Sequence, residues 1–216
     1  MTAKVKICGI TSLEIARAAA NDSADFLGFI HFGKSPRHLP LKAMAELMAA
    51  IRSHGITVPL VSVVVDPDDA LIDALAGDVK PDLIQLHGKE TPQRVAGIAA
   101  RATTPVIKVI SVGEAGDLAD AEAYAPHVRY LMFDAKTPKD AAMPGGLGLS
   151  FDWRIMRGYA GGTPWFLAGG LTPDNVAEAL RLSGAVMVDV SSGVESAPGI
   201  KDPLLISRFL KAAKSL

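Results

Sequence analysis

The chain has 216 residues, 49% of them hydrophobic and 6% aromatic, with a formal net charge of -1. That balance excludes a disordered chain, a basic surface for nucleic acid and a broad base-stacking platform. The length fits one domain over residues 1–216 with a sizeable core.

Short apolar runs alternate with amphipathic stretches. The predicted strands are Val5–Cys8, Phe26–Phe32, Leu60–Val65, Leu83–His87, Val106–Ile110, Tyr130–Asp134, Trp165–Ala168 and Ala185–Val190. They are rich in Val, Ile and Leu and end at Gly, Pro, Ser or Asp, the pattern of strands buried on both faces. A helix is predicted over Ser12–Asn21, capped by Thr11 or Ser12, and another over Leu41–His54 with apolar residues at helical spacing. Asp66-Pro67, Thr91-Pro92 and Thr172-Pro173 each read as a cap followed by a first-turn proline, and the last helix lies near Pro203–Ala213. Eight strands, each expected to have a following helix, point to α/β architecture and to a (β/α)₈ barrel rather than an open doubly wound sheet.

No apolar run approaches the roughly 20 residues of a membrane span, and MTAKVKICGI lacks the layout of a signal peptide. The single cysteine has no internal partner, so a reducing cytoplasm is the expected compartment, with no nucleic-acid or membrane partner.

Strand alternation sorts the polar residues. Lys6 and Cys8 share a face on strand one, Gln85 and His87 on strand four, Met132 and Asp134 on strand six, and Met187 and Asp189 on strand eight. On strand five Lys108 stands between Ile107 and Val109. With the apolar sets (Val186, Val188 and Val190 on strand eight) against the helices, these polar residues face inward. Interior charges then balance as Lys6 and Lys108 against Asp134 and Asp189. Strands one and eight adjoin when a barrel closes, so Lys6 and Asp189 are expected within ion-pair reach. Cys8, His87, Asp134 and Asp189 also come late in their strands, at the end of the barrel where catalysis occurs.

Four motifs carry candidate chemistry. Cys8 in Lys6–Thr11 is a thiol at a strand end, where a cation such as Lys6 would favour thiolate. Arg37 in Ser35-Pro-Arg37 offers a planar fork for a carboxylate. Gly169 and Gly170, with Ser191, Ser192 and Gly193, follow strands seven and eight, the usual place of a phosphate site in such barrels. Pro144–Gly148 falls in a long loop that could serve as a lid or be passive. His31, His38, His54 and His127 show no metal-ligand spacing and read as surface or loop residues.

Together these segments resemble the phosphoribosylanthranilate isomerase family of tryptophan biosynthesis. The resemblance runs through KICGIT (Lys6–Thr11), GFIHFGKSPR (Gly28–Arg37), VSVVVD (Val61–Asp66), IQLHG (Ile84–Gly88) and FDA (Phe133–Ala135). It continues through PGGLGLSFDW (Pro144–Trp153), LAGGLTPDNV (Leu167–Val176) and DVSSGVESAPGIKD (Asp189–Asp202). It implies a small (β/α)₈ barrel performing an Amadori rearrangement without metal or organic cofactor, on a small phosphorylated substrate, as a monomer or a homodimer. It also implies Cys8 as general base, Asp134 as general acid, Arg37 on the anthranilate carboxylate, and a phosphate site at Gly169-Gly170 and Ser191-Ser192-Gly193. His87 is a further candidate substrate contact, with Lys6 and Asp189 as electrostatic support. His31 stands where the family often has an aromatic residue, and Leu147 where it often has Asn or Thr.

A free Asp titrates near ~3.9 and a free Cys near ~8.5, so at neutral pH both would start in the wrong state for these roles. Burial can raise the one and a cation can lower the other. Two other readings compete: a phosphosugar aldolase using Lys108 or Lys136 as a Schiff-base amine, and a non-catalytic barrel holding a phosphorylated ligand such as flavin mononucleotide.

Overall fold

The computed structural model describes residues 2–137 and 145–215. Eight parallel strands close into a barrel in sequence order. They are β1 Lys4–Cys8, β2 Phe26–His31, β3 Leu60–Val64, β4 Leu83–Leu86, β5 Val106–Val112, β6 Tyr130–Ala135, β7 Trp165–Leu167 and β8 Met187–Val190. The α-helices are α1 Leu13–Asn21, α2 Leu41–Ser53, α3 Asp69–Ala74, α4 Pro92–Ala102, α5 Ala121–Tyr124, α6 Val176–Ser183 and α7 Pro203–Lys214. A small hairpin, β9 Glu195–Ala197 with β10 Ile200–Lys201, leads from β8 to α7.

The core has two parts. One lies between strands and helices. The other fills the barrel and includes Phe26, Val61, Leu83, Ile107, Val109, Met132, Phe166 and Met187. At its base Phe26, Tyr130 and Phe166 meet edge to face with ring centroids 5.3–5.9 Å apart. Each such pair adds about 0.5–1.5 kcal/mol beyond its buried area, so this end of the barrel is a packed plug. The polar side chains are left to the other end.

The caps show which local signals held. Ser12 accepts from the Ile15 N–H at 3.3 Å and opens α1, and Thr91 accepts from Arg94 at 3.2 Å and opens α4 ahead of Pro92. Asp66-Pro67 is not a cap. Asp68 caps α3 by accepting from Leu71 at 2.8 Å. Asp66 sits at φ +45° and accepts instead from the Lys89 N–H at 2.6 Å, tying the β3 loop to the β4 loop. Thr172-Pro173 likewise precedes its helix by three residues, because the Asn175 side chain accepts from Thr172 N–H and holds a turn before Val176.

Three further expectations are corrected. Among the described residues no α-helix joins β6 to β7. The connection there contains a 3₁₀ turn, Trp153–Gly158, in a stretch whose many glycines lower helical propensity. Val186 does not pack on helices: it precedes β8 and is 60% exposed. Lys108 does not face the interior. Ile107 and Val109 fill the barrel, so Lys108 points outward, where its Nζ lies 2.6 Å from Glu90 and 2.8 Å from the Gly88 carbonyl. Glu90 in turn accepts from the Asp66 and Gly88 N–H groups. A buried cation outside the barrel is tolerated because a buried carboxylate meets it.

Candidate active site

A solvent-open cavity of about 830 Å³ occupies the C-terminal mouth of the barrel. Cys8, Arg37, His87, Asp134, Asp189, Gly169, Gly170, Ser191, Ser192 and Gly193 all line it, so the residues singled out in the sequence converge. Lys6 lies beneath, wholly buried.

Cys8 ends β1 and sits in register with Gly28 on β2. A side chain at Gly28 would come within 2.9 Å of both the Cys8 Sγ and the Lys6 Nζ, so the bare backbone there gives thiol and ammonium a common wall. The chain then turns at Gly9, with φ +82° and the Arg37 stem packed where a Cβ would stand. Lys6 bonds Asp189 on β8 at 2.8 Å, in register, as strand parity predicted. Burial opposes the Lys6 charge, but Asp189 and Cys8 outweigh it and hold the ammonium above its ordinary pKa. Cys8 goes the other way from the expected thiolate. Burial pushes the thiol up, Asp189 adds to this, and Lys6 offsets it only in part.

Asp134, near the end of β6, accepts from the Ala135 N–H at 2.8 Å through Oδ1. Its Oδ2 lies 3.2 Å from the His87 Nε2, in contact but without the alignment of a hydrogen bond. The His87 Nδ1 is 3.3 Å from the Gln85 side-chain amide. The acid candidate therefore has one oxygen fixed by the backbone and the other beside an imidazole.

Arg37 is only 3% exposed, and its Nε and Nη2 bond both oxygens of Glu195 at 2.7 and 2.8 Å. Lys201 bonds the same carboxylate at 2.6 Å and the Ser191 carbonyl at 2.9 Å. Burial acts against the charge of Glu195, yet Arg37 and Lys201 keep its carboxyl below the ordinary range. Burial lowers Lys201 in spite of Glu195. At the rim Gly193, in the 3₁₀ turn Ser192–Val194, packs against the backbone of Leu171 and Thr172, bringing the loops after β7 and β8 together.

Sequence reading gave no role to Glu195, Lys201 or Glu90. The first two had a usable signal in Pro198-Gly199, a turn pair between short extended pieces. Of the glycine-rich loop, Gly145–Gly148 line the cavity, whereas Pro144 lies outside the described residues. His31 turns away from the cavity. Its Nδ1 bonds the Leu39 carbonyl at 2.8 Å, so its departure from the family pattern leaves the mouth untouched. Neither lysine of the aldolase reading reaches the cavity, since Lys108 is held by Glu90 and Lys136 by Asp117 at 2.9 Å on the surface. Among the described residues no cluster of His, Cys, Asp and Glu has the arrangement of a metal site, and no helix is long and apolar enough to cross a membrane.

Comparison with known proteins agrees with this geometry. The family model described as N-(5'phosphoribosyl)anthranilate (PRA) isomerase matches residues 5–212. A curated N-(5'-phosphoribosyl)anthranilate isomerase from Caulobacter sp. (strain K31) is 52% identical over 211 residues, covering 98% of each chain. One of the same name from Paramagnetospirillum magneticum is 51% identical, covering 99% of this chain and 98% of its own. The crystal structure of phosphoribosyl anthranilate isomerase from Thermotoga maritima superposes with a TM-score of 0.85 at 33% identity, covering 99% of this chain and all of that one. A family model spanning nearly the whole chain, close relatives of full length and a shared barrel lead to one conclusion: the chain belongs to the N-(5'-phosphoribosyl)anthranilate isomerase family.

Proposed function

We propose that this chain is the isomerase of tryptophan biosynthesis for which its family is named, with Cys8 as general base and Asp134 as general acid. It converts N-(5-phosphoribosyl)anthranilate to 1-(2-carboxyphenylamino)-1-deoxyribulose 5-phosphate. The observation that carries the residue assignment is the placement of the Cys8 thiol and the Asp134 carboxyl in one cavity, together with the buried guanidinium of Arg37 and the two loops suited to phosphate.

The chemistry divides between the two groups. As the furanose ring opens, the bond from carbon 1 to the ring oxygen breaks, and Asp134 delivers a proton to that oxygen. The nitrogen lone pair forms the C=N bond. The Cys8 thiolate then takes the proton from carbon 2, and the electron pair forms the enolamine. Tautomerisation returns a proton to carbon 1 and leaves a ketone at carbon 2. The redox change is internal, so no outside oxidant is needed. One group must start protonated and the other deprotonated, which is the division of labour expected of an acid–base pair. Arg37 receives the anthranilate carboxylate. Gly169, Gly170, Ser191, Ser192 and Gly193 receive the phosphate. His87 borders both the substrate and Asp134.

The raised Cys8 pKa has a definite sign. Only the thiolate is a base, so kcat/KM rises with pH as the free enzyme's thiol ionises, with a midpoint above that of an ordinary thiol. Lys6 is the cation that opposes burial at Cys8. Lys6→Gln is therefore expected to move the rise to still higher pH, as read from a kcat/KM profile; a downward move or no move removes Lys6 from the support of Cys8.

Turnover by the purified chain, followed as loss of N-(5-phosphoribosyl)anthranilate fluorescence, tests the function. Arg37→Ala is expected to raise KM at least about tenfold with a smaller change in kcat, and an unchanged KM rules out its contact with the carboxylate. The crystal structure of one Thermotoga maritima relative is described as that of monomers generated from a dimeric isomerase. For this chain a monomer or a homodimer fits the reading equally, since every proposed site residue comes from one chain.

A further inference from the structure

We propose that Glu195, pinned by Lys201, is a positioning residue that aims Arg37 at the substrate carboxylate. The inference rests on the carboxylate role of Arg37 stated above. Arginine carries five N–H donors in a rigid plane. Glu195 takes the Nε donor and one Nη2 donor through its two oxygens, at 2.7 and 2.8 Å. The donors left over are both on Nη1 and one on Nη2, at the end of the fork. That end faces Gly146 at the rim of the cavity, where a Cβ would stand 2.7 Å from Nη1. A carboxylate arriving from the cavity therefore meets a fixed pair of parallel donors, the arrangement suited to bidentate binding.

Glu195 is itself held from three sides. Lys201 donates to Oε1 at 2.6 Å, the Gly199 N–H to Oε2 at 3.1 Å, and the short hairpin sets Glu195 opposite Lys201. The turn of that hairpin packs on the loop that carries Arg37: a Cβ on Gly199 would stand 2.6 Å from the Pro36 carbonyl. Lys201 also bonds the Ser191 carbonyl at 2.9 Å. One carboxylate thus joins the loop after β2, the loop after β8 and the hairpin, and so fixes the distance between the carboxylate end and the phosphate end of the site. The side chains of Arg37, Glu195 and Lys201 are 1–4% exposed. Two cations share one anion in this cluster, which leaves a net positive charge for an anionic ligand.

Glu195→Asp keeps the charge but shortens the side chain by one methylene, so its carboxylate no longer spans Arg37 and Lys201 together. The expected result is a KM raised about tenfold with kcat changed less than about twofold. In an Arg37→Ala background the same substitution is expected to add nothing further to KM, because Glu195 acts through Arg37. A folded Glu195→Asp chain with wild-type KM overturns the proposal, and so do effects that multiply in the double variant. Should Glu195→Asp fail to fold, Lys201→Met leaves the Arg37–Glu195 pair neutral and removes its pin together with the bond to the Ser191 carbonyl. A KM raised at least about threefold in the wild-type chain but not in the Arg37→Ala background then supports the clamp, and an unchanged KM, or an equal rise in both backgrounds, overturns it. Arg37→Ala alone separates the two layers. If its KM is normal, the carboxylate role itself fails, whatever Glu195 does.

Discussion

Asp134→Asn is expected to lower kcat at least about 10²-fold while leaving the barrel intact, as read from steady-state turnover beside a circular dichroism spectrum. The substitution is nearly isosteric. Asparagine keeps the oxygen that accepts from the Ala135 N–H at 2.8 Å, so the end of β6 holds its shape. What it lacks is a proton to give. Ring opening without a proton donor must expel an alkoxide, a step no neighbouring donor replaces at the same geometry. His87 is a titratable group in contact with Asp134, its Nε2 3.2 Å from Oδ2. A variant near wild-type kcat would therefore move the acid role from Asp134 to His87.

Cys8→Ala is expected to lower kcat by a similar factor, at least about 10²-fold, with KM little changed. The loss is chemical rather than structural. Lys6 does not depend on the thiol for its partner, since it bonds Asp189 at 2.8 Å, so removing the sulfur orphans no buried charge. The Gly28 wall and the Gly9 turn are backbone features that survive the change. A folded Cys8→Ala chain with near-normal kcat excludes the thiol as the group that takes the carbon 2 proton.

The sequence made some of this arrangement readable and hid the rest for physical reasons. Lys6–Asp189 was readable because strand parity fixes the face and barrel closure makes β1 and β8 neighbours. The same parity argument failed at Lys108. It assumed that apolar residues face only the helices, but a filled barrel is apolar on its inside as well, and Ile107 and Val109 belong there. The partner that stabilises Lys108 on the outer side, Glu90, stands after β4, where alternation says nothing. The convergence of the loops after β7 and β8 on the cavity was readable from position, because barrels of this kind gather those loops at the C-terminal mouth.

Arg37 was readable as a candidate residue of the mouth but not as one held by a carboxylate. Its anchor lies 158 residues further along the chain, in a hairpin too short to give a periodic signal. The charge state of Cys8 was the subtlest point. A cation two residues away suggested thiolate, yet burial and the carboxylate of Asp189 together outweigh it. Sequence shows which charges are near, and only the packed structure shows how much water they have lost.

The most direct measurement is turnover of N-(5-phosphoribosyl)anthranilate by four purified chains in one assay: the wild type, Cys8→Ala, Asp134→Asn and the double variant. The expected result is clear turnover by the wild type and a loss of at least about 10²-fold in each single variant. The double variant should be little worse than the poorer single one, because both groups serve one reaction. An inert wild type, or a single variant that turns over near the wild-type rate, contradicts the assignment of this cavity.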